Sequence, residues 1–148
     1  INSLYLQSEK LEQHNIKLQK KFKAIKENEV KYELYNLEED VDLIMVSYGT
    51  TSRICKNVIK ASKALGINLG LIRPITLWPF PEKAFEETIN KTKLGYISVE
   101  MSAGQMVEDV KLAVLGRKPV HFYGRTGGMV PTPQEILNNI MEIVGGAK

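Results

Sequence analysis

Sulfur and imidazole are scarce in this chain. Its 148 residues include one cysteine, Cys55, and two histidines, His14 and His121. A single cysteine excludes an intrachain disulfide. It also excludes an iron–sulfur cluster held by this chain alone, because such clusters need several thiolates. No spacing of Cys, His, Asp or Glu suits a metal site. No serine–histidine–carboxylate set is available, since His14 lies in a charged helical stretch and His121 inside an apolar strand. One cysteine suits a reducing compartment, so the expected location is the cytoplasm. Long apolar runs are missing too. The longest, residues 43–46, falls far short of the roughly 20 residues a membrane helix needs. No signal peptide is visible and no membrane partner is expected. The net charge of +3 is weak and reads as evenly spread, which argues against nucleic acid as a partner.

What is present is an ordinary globular balance, 43% apolar and 25% charged, in a length that suits one domain with a real core. Its pivotal stretch is residues 70–81, GLIRPITLWPFP. Two prolines flanking Phe80 fit neither a helix interior nor a central strand. A buried strand therefore ends near Ile72, and a stiff loop carries Arg73 and Trp78 outward. Pro81 then suits the first position of a helix reaching Lys93, with Phe85 and Ile89 inward.

The other elements follow by pattern. Residues 8–29 read as a charged helix with a thin apolar stripe at Leu11, Leu18, Phe22 and Ile25, interrupted by His14 and Asn15. Residues 32–35, YELY, suit a short edge strand. Residues 43–48 form a buried strand, then Thr50 or Thr51 caps a helix that buries Ile54, Val58, Ala61 and Leu65 and stops at Gly66. Cys55 falls early in that helix, where a thiolate is favoured, although a small half-buried residue is the plainer reading. Residues 95–100 form the next strand. Ser102 and Gln105 have capping-box spacing for a helix presenting Val107, Val110 and Val114. Residues 120–123 form the last long strand, and Thr132, Pro133 and Glu135 mark the final helix. Strands alternating with helices predict an α/β fold, a three-layer α/β/α sandwich around a mostly parallel five-stranded sheet, preceded by an amino-terminal helix.

In such a sheet the loops after the strands share one rim. They carry Arg73, Thr76, Trp78, Glu100, Ser102, Gln105, Arg125 and Thr126. Arg73 and Arg125 suit an anion, helped by helix starts near Thr51 and Ser102, and Glu100 suits the role of counter-ion to an arginine. The alternative is that these residues are caps, turns and interface contacts. Residues 124–128 lack the Lys-Ser/Thr ending of a phosphate loop. No catalytic residue and no metal ligand is identified.

Three stretches, LIRPITLWPFP (71–81), EMSAGQMVEDVKLAV (100–114) and YGRTGG (123–128), together resemble the carboxyl-terminal part of the α subunit of 2-oxoacid:ferredoxin oxidoreductases, of the 2-oxoisovalerate and 2-oxoglutarate types. NSLYL (2–6) and the helix after it fit the same subunit. The resemblance implies a domain like the carboxyl-terminal domain of transketolase over residues 37–148, with residues 1–36 as a helical linker from a missing amino-terminal domain. It implies a whole enzyme that oxidatively decarboxylates a 2-oxoacid to an acyl-coenzyme A and reduces ferredoxin. That enzyme uses thiamine diphosphate, magnesium, iron–sulfur clusters and coenzyme A, none of them bound by this fragment. It implies other subunits as partners, ferredoxin through the complex, and a homodimer or hetero-oligomer. The fragment alone is expected to be inactive, with a structural or assembly role. The competing reading is a small-anion, coenzyme A or nucleotide-binding α/β module.

Overall fold

A computed structural model describes residues 4–146. Asn2 and Ser3 of the NSLYL stretch, with residues 1, 147 and 148, lie outside the described residues. The elements are α1 (Ser8–Asn28), β1 (Tyr32–Tyr35), β2 (Leu43–Val46), α2 (Gly49–Lys63), β3 (Leu69–Pro74), α3 (Glu82–Thr88), β4 (Tyr96–Glu100), α4 (Met106–Val114), β5 (Val120–Gly124) and α5 (Pro133–Gly146).

The five strands form one sheet in the order β1-β3-β2-β4-β5. β1 runs antiparallel to β3 at the edge, and the other pairings are parallel. Side chains alternate across the sheet, so each inner strand feeds two cores. Leu43, Met45, Leu69, Leu71, Ile97 and Val99 pack with α2 and α5. Ile44, Val46, Ile72 and Tyr96 pack with α3 and α4 on the opposite face. β2 and β4 are buried at every position. This is why their sequences read as unbroken apolar runs instead of alternating ones. The expected three-layer sandwich is what forms.

Several local expectations are corrected. α2 begins at Gly49 with Tyr48 as N-cap, and neither Thr50 nor Thr51 caps it; Thr51 Oγ1 instead donates to Tyr48 O at 2.7 Å. Its buried side consists of Thr51, Ser52, Cys55, Val58, Ile59 and Ser62, while Ala61 and Leu65 are exposed and Ile54 is half-buried. Pro81 is the N-cap of α3, not its first residue, and α3 ends at Thr88, though Phe85 and Ile89 do face inward.

Cys55 is the seventh residue of α2 and is fully buried. Burial pushes its thiol up to about 12, so no thiolate is favoured there. Iodoacetamide is expected to leave Cys55 unmodified in the folded chain and to label it only after denaturant is added. Labelling at the rate of a free thiol under native conditions contradicts this burial.

α1 stands apart. None of its 21 residues is buried. It meets the sandwich where Phe22 packs edge-on against Trp78, with ring centroids 5.7 Å apart. His14 stacks on Tyr5 at 4.8 Å. Among the described residues no helix is long and apolar enough to cross a membrane.

Candidate functional site

The carboxyl ends of β3, β2, β4 and β5 lie side by side at one end of the sheet. The loops after them, residues 75–81, 47–48, 101–105 and 125–132, form a continuous rim. Several of its polar residues pair within the chain, while Gln105 and Thr126 are exposed.

Arg73, near the end of β3, sits in register with Glu33 of β1. Its Nη1 donates to Glu33 Oε2 at 3.0 Å, and Lys56 Nζ of α2 reaches Glu33 Oε1 at 3.0 Å. Hydrogen bonds from Lys56 and then Arg73 hold the Glu33 carboxyl below its ordinary value. Arg125 pairs with Glu135 of α5, and its backbone N–H donates to Glu100 O at 3.1 Å. Glu135 also accepts from Thr132 N (2.7 Å) and Thr132 Oγ1 (2.9 Å), which is the capping box expected for the last helix. Two strands separate β3 from β5, so the two arginine backbones lie roughly 14 Å apart. They do not converge on one anion, and each already has a carboxylate.

Glu100 corrects the expectation most sharply. It counters no arginine. Its side chain is 2% exposed and takes five donors. Ser98 Oγ (2.8 Å) and Val107 N (2.8 Å) donate to Oε1. Ser102 Oγ (2.8 Å), Gln105 N (3.0 Å) and Met106 N (3.0 Å) donate to Oε2. Burial alone raises its pKa. The Gln105 amide, the Ser102 and Ser98 hydroxyls and the Met106 amide outweigh that and leave it below the ordinary value. The Ser102–Gln105 capping box does not form: α4 starts at Met106, Gln105 is its N-cap, and the cap comes from a carboxylate one strand end away. The positive end of α4 is thus filled from within the chain.

Thr76 braces its loop. Its Oγ1 accepts from Lys31 N at 3.0 Å and donates to Pro79 O at 3.1 Å. Phe80, between its two prolines, stacks on Phe85, which in turn meets Tyr96. That anchor drives Trp78 outward, where it is 56% exposed. Thr126 O accepts from Met129 N at 3.2 Å, closing the glycine-rich turn, and the Thr126 side chain is exposed.

Arg73 and Arg125 therefore offer a free anion no unpaired charge to grip. Millimolar pyrophosphate is expected to leave the melting temperature unchanged, both in the wild type and in Arg73→Ala. A rise that Arg73→Ala abolishes would restore the anion-binding reading.

Beside Gln105 and Thr126 the rim exposes large apolar residues: Tyr48, Ile75, Leu77, Trp78, Met101 and Met129, joined by Val130. Sequence reasoning named only Trp78 among them. The signal in the sequence was Met129-Val130, two large apolar residues directly after a glycine-rich turn where polar ones are usual.

Residues 41–136 match the family described as pyruvate:ferredoxin oxidoreductase core domain II. The chain is 43% identical over 145 residues to the ketoisovalerate oxidoreductase subunit VorB of Methanothermobacter marburgensis, covering 98% of this chain and 40% of that protein. The chain thus spans less than half the length of this curated relative. Its fold is similar to a 2-oxoglutarate:ferredoxin oxidoreductase from Magnetococcus marinus, with a TM-score of 0.77 at 21% identity over 95% of this chain and 24% of that one. It is also similar to a split-gene transketolase, with a TM-score of 0.62 at 16% identity over 76% of this chain and 41% of that one.

Proposed function

This chain belongs to the pyruvate:ferredoxin oxidoreductase core domain II family, and on that premise we propose that it is the carboxyl-terminal, transketolase-like lobe of the α subunit of a 2-oxoacid:ferredoxin oxidoreductase. The lobe supports assembly and carries no reacting group of its own. The single observation behind this reading is the internal pairing of the rim: Glu100 with five donors, Arg73 with Glu33, and Arg125 with Glu135.

The start of α4 does not fit a diphosphate, because the carboxylate of Glu100 occupies it. Among the described residues no three His, Cys, Asp or Glu side chains gather as metal ligands. In this reading thiamine diphosphate, magnesium, the iron–sulfur clusters and coenzyme A of the whole enzyme belong to other segments and subunits, and no step is routed through this lobe. Residues 1–36 act as the linker and 37–148 as the lobe, in a cytoplasmic homodimer or hetero-oligomer that passes electrons to ferredoxin. Identity to the ketoisovalerate subunit favours 2-oxoisovalerate as the substrate of the whole enzyme.

The test is reconstitution. The 148-residue chain alone should show no coenzyme A-dependent reduction of ferredoxin or viologen dye by any 2-oxoacid. The enzyme assembled with the remaining segments and subunits should show it, faster with 2-oxoisovalerate than with 2-oxoglutarate. Turnover by the chain alone, or none by the assembly, overturns the reading.

A further inference from the structure

We infer that the free edge of β5 pairs with the same edge of a second copy of this chain, antiparallel about Phe122, joining two five-stranded sheets into one continuous sheet. The functional reading above names a homodimer as one form of assembly and no surface for it. The inference rests on the sheet edge alone and stands or falls without that reading.

The first observation is the direction of the backbone groups of β5. Tyr96 N donates to Pro119 O, and Arg125 N donates to Glu100 O. The odd-numbered residues of 119–125 therefore face β4, and the N–H and C=O of Val120, Phe122 and Gly124 point the other way. Among the described residues nothing pairs with that outer row. None of the five residues of β5 is buried, and Phe122 is exposed. Proteins guard such edges with charge, proline or a bulge. Residues 120–124, VHFYG, contain no charged side chain and no proline, and their register with β4 is unbroken from Val120 to Gly124. The opposite edge is guarded: β1 is four residues long, bears Glu33 and follows Lys31.

A second β5 fits this edge in register. Turned about a two-fold axis at Phe122, Val120 meets Gly124 of the second copy and Phe122 meets its own counterpart. All three outward residues then form hydrogen-bonded pairs. The two Phe122 side chains sit on one face of the joined sheet, with Cα atoms roughly 5.5 Å apart. On the other face His121 lies opposite Tyr123 of the second copy, and the reverse. Aromatic pairs of this kind are what hold neighbouring strands together. The Phe122 ring already lies along the edge. A Cβ added at Gly104 would be 3.6 Å from its atoms, and one at Gly124 would be 2.4 Å away.

The distribution of charge favours a second copy as the partner, and it corrects the expectation of evenly spread charge. α1 holds six lysines (Lys10, Lys17, Lys20, Lys21, Lys23 and Lys26) against three glutamates (Glu9, Glu12 and Glu27), a net of +3. The whole chain is also +3, so the remainder balances to zero. An edge without charge, on a sandwich without net charge, gives an oppositely charged partner nothing to answer. In the self-paired register no two cations stand directly opposite. Lys118 faces Thr126 of the second copy, and Arg125, which has Glu135 beside it, faces Pro119. α1 is anchored by Phe22 on Trp78, in the loop after β3. Joined through β5, the two β3 strands lie seven strand spacings apart, roughly 34 Å. That is well beyond the ~8 Å over which charges act at physiological salt.

The test is sedimentation and hydrogen exchange of the 148-residue chain over a range of concentrations. The chain should be a dimer at about 100 µM and dissociate on dilution, as a small interface does. Dilution should speed exchange of the Val120, Phe122 and Gly124 amides about tenfold or more. The outward amide of Leu34 on β1 should not respond. Phe122→Lys and Phe122→Glu, each melting as the diluted wild type does, should each weaken pairing about 100-fold, because the two-fold sets every new charge against its twin. Mixed in equal amounts, the two variants should pair with each other, as contact of residue 122 with itself requires. If a variant fails to fold, the exchange result on the wild type decides. A chain that stays monomeric, a dimer that Phe122→Lys leaves intact, or a mixture that does not pair overturns the inference. Protection of the three amides only in the assembled enzyme gives the edge to another segment, and the inference falls while the functional reading stands. A reconstituted enzyme without turnover overturns the functional reading and leaves a β5-dependent dimer in place.

Discussion

Glu100→Ala should lower the free energy of unfolding by about 4 kcal/mol, one of the largest single-residue effects expected in this fold. The carboxylate is 2% exposed and holds two serine hydroxyls and the first free amides of α4. Alanine leaves all five donors without their acceptor in a place water reaches poorly. For a domain of this size the melting temperature should fall by roughly 10 °C. Glu100→Gln should cost about 3 kcal/mol, because the amide keeps the shape but turns an N–H₂ toward other donors. The pH dependence has a definite sign. The folded-state pKa lies below the ordinary 4.5, so the carboxylate's contribution is complete above that value and is lost as the pH falls through the folded pKa. The stability gap between wild type and Glu100→Gln should therefore narrow on acidification. Urea unfolding at pH 7 and at successively lower pH measures it, and a gap that stays constant would show that ionisation of Glu100 contributes nothing.

Gly95→Ala should be at least as damaging, above 4 kcal/mol, with little folded protein recovered. Gly95 precedes β4 with φ of +95°, and a Cβ there would lie 2.2 Å from Pro119 O. That oxygen cannot swing aside, because it accepts Tyr96 N at 2.9 Å where β4 and β5 begin to pair. The carbonyl of Gly95 is also fixed, accepting Ile44 N at 3.0 Å and Thr92 Oγ1 at 2.8 Å. Gly66→Ala is the control. Gly66 has φ of +71° but nothing within 4 Å of an added Cβ, so it should cost only about 1 kcal/mol of backbone strain. Equal losses for the two variants would mean that the close approach at Pro119 is not the constraint.

The elements legible in the sequence were those whose signals are local. β2 and β4 announced themselves as apolar runs because parallel strands covered on both faces need no alternation. The start of α5 was legible because Thr132 and Glu135 sit three residues apart and need only each other. α4 misled because Ser102 and Gln105 have the same spacing, yet Glu100, at the end of the preceding strand, reaches the helix amides first. The arginines misled for a longer-range reason. Arg73 finds Glu33 forty residues away only once β1 has paired with β3, and that register is a property of the sheet, not of either segment. The exposed rim residues were hard to see because composition gives the type of a side chain and not its direction. Ile75 and Ile72 look alike in the sequence, but one ends in water and the other in the core.

The charge carried by α1 has a consequence for handling the protein. A sandwich whose formal charges cancel, and which bears an open apolar rim, has little electrostatic repulsion to keep its copies dispersed near neutral pH. The helix supplies that colloidal repulsion. Trimming it away in pursuit of a tidier fragment would yield a particle that clumps near neutral pH even at low salt, where the longer chain stays clear.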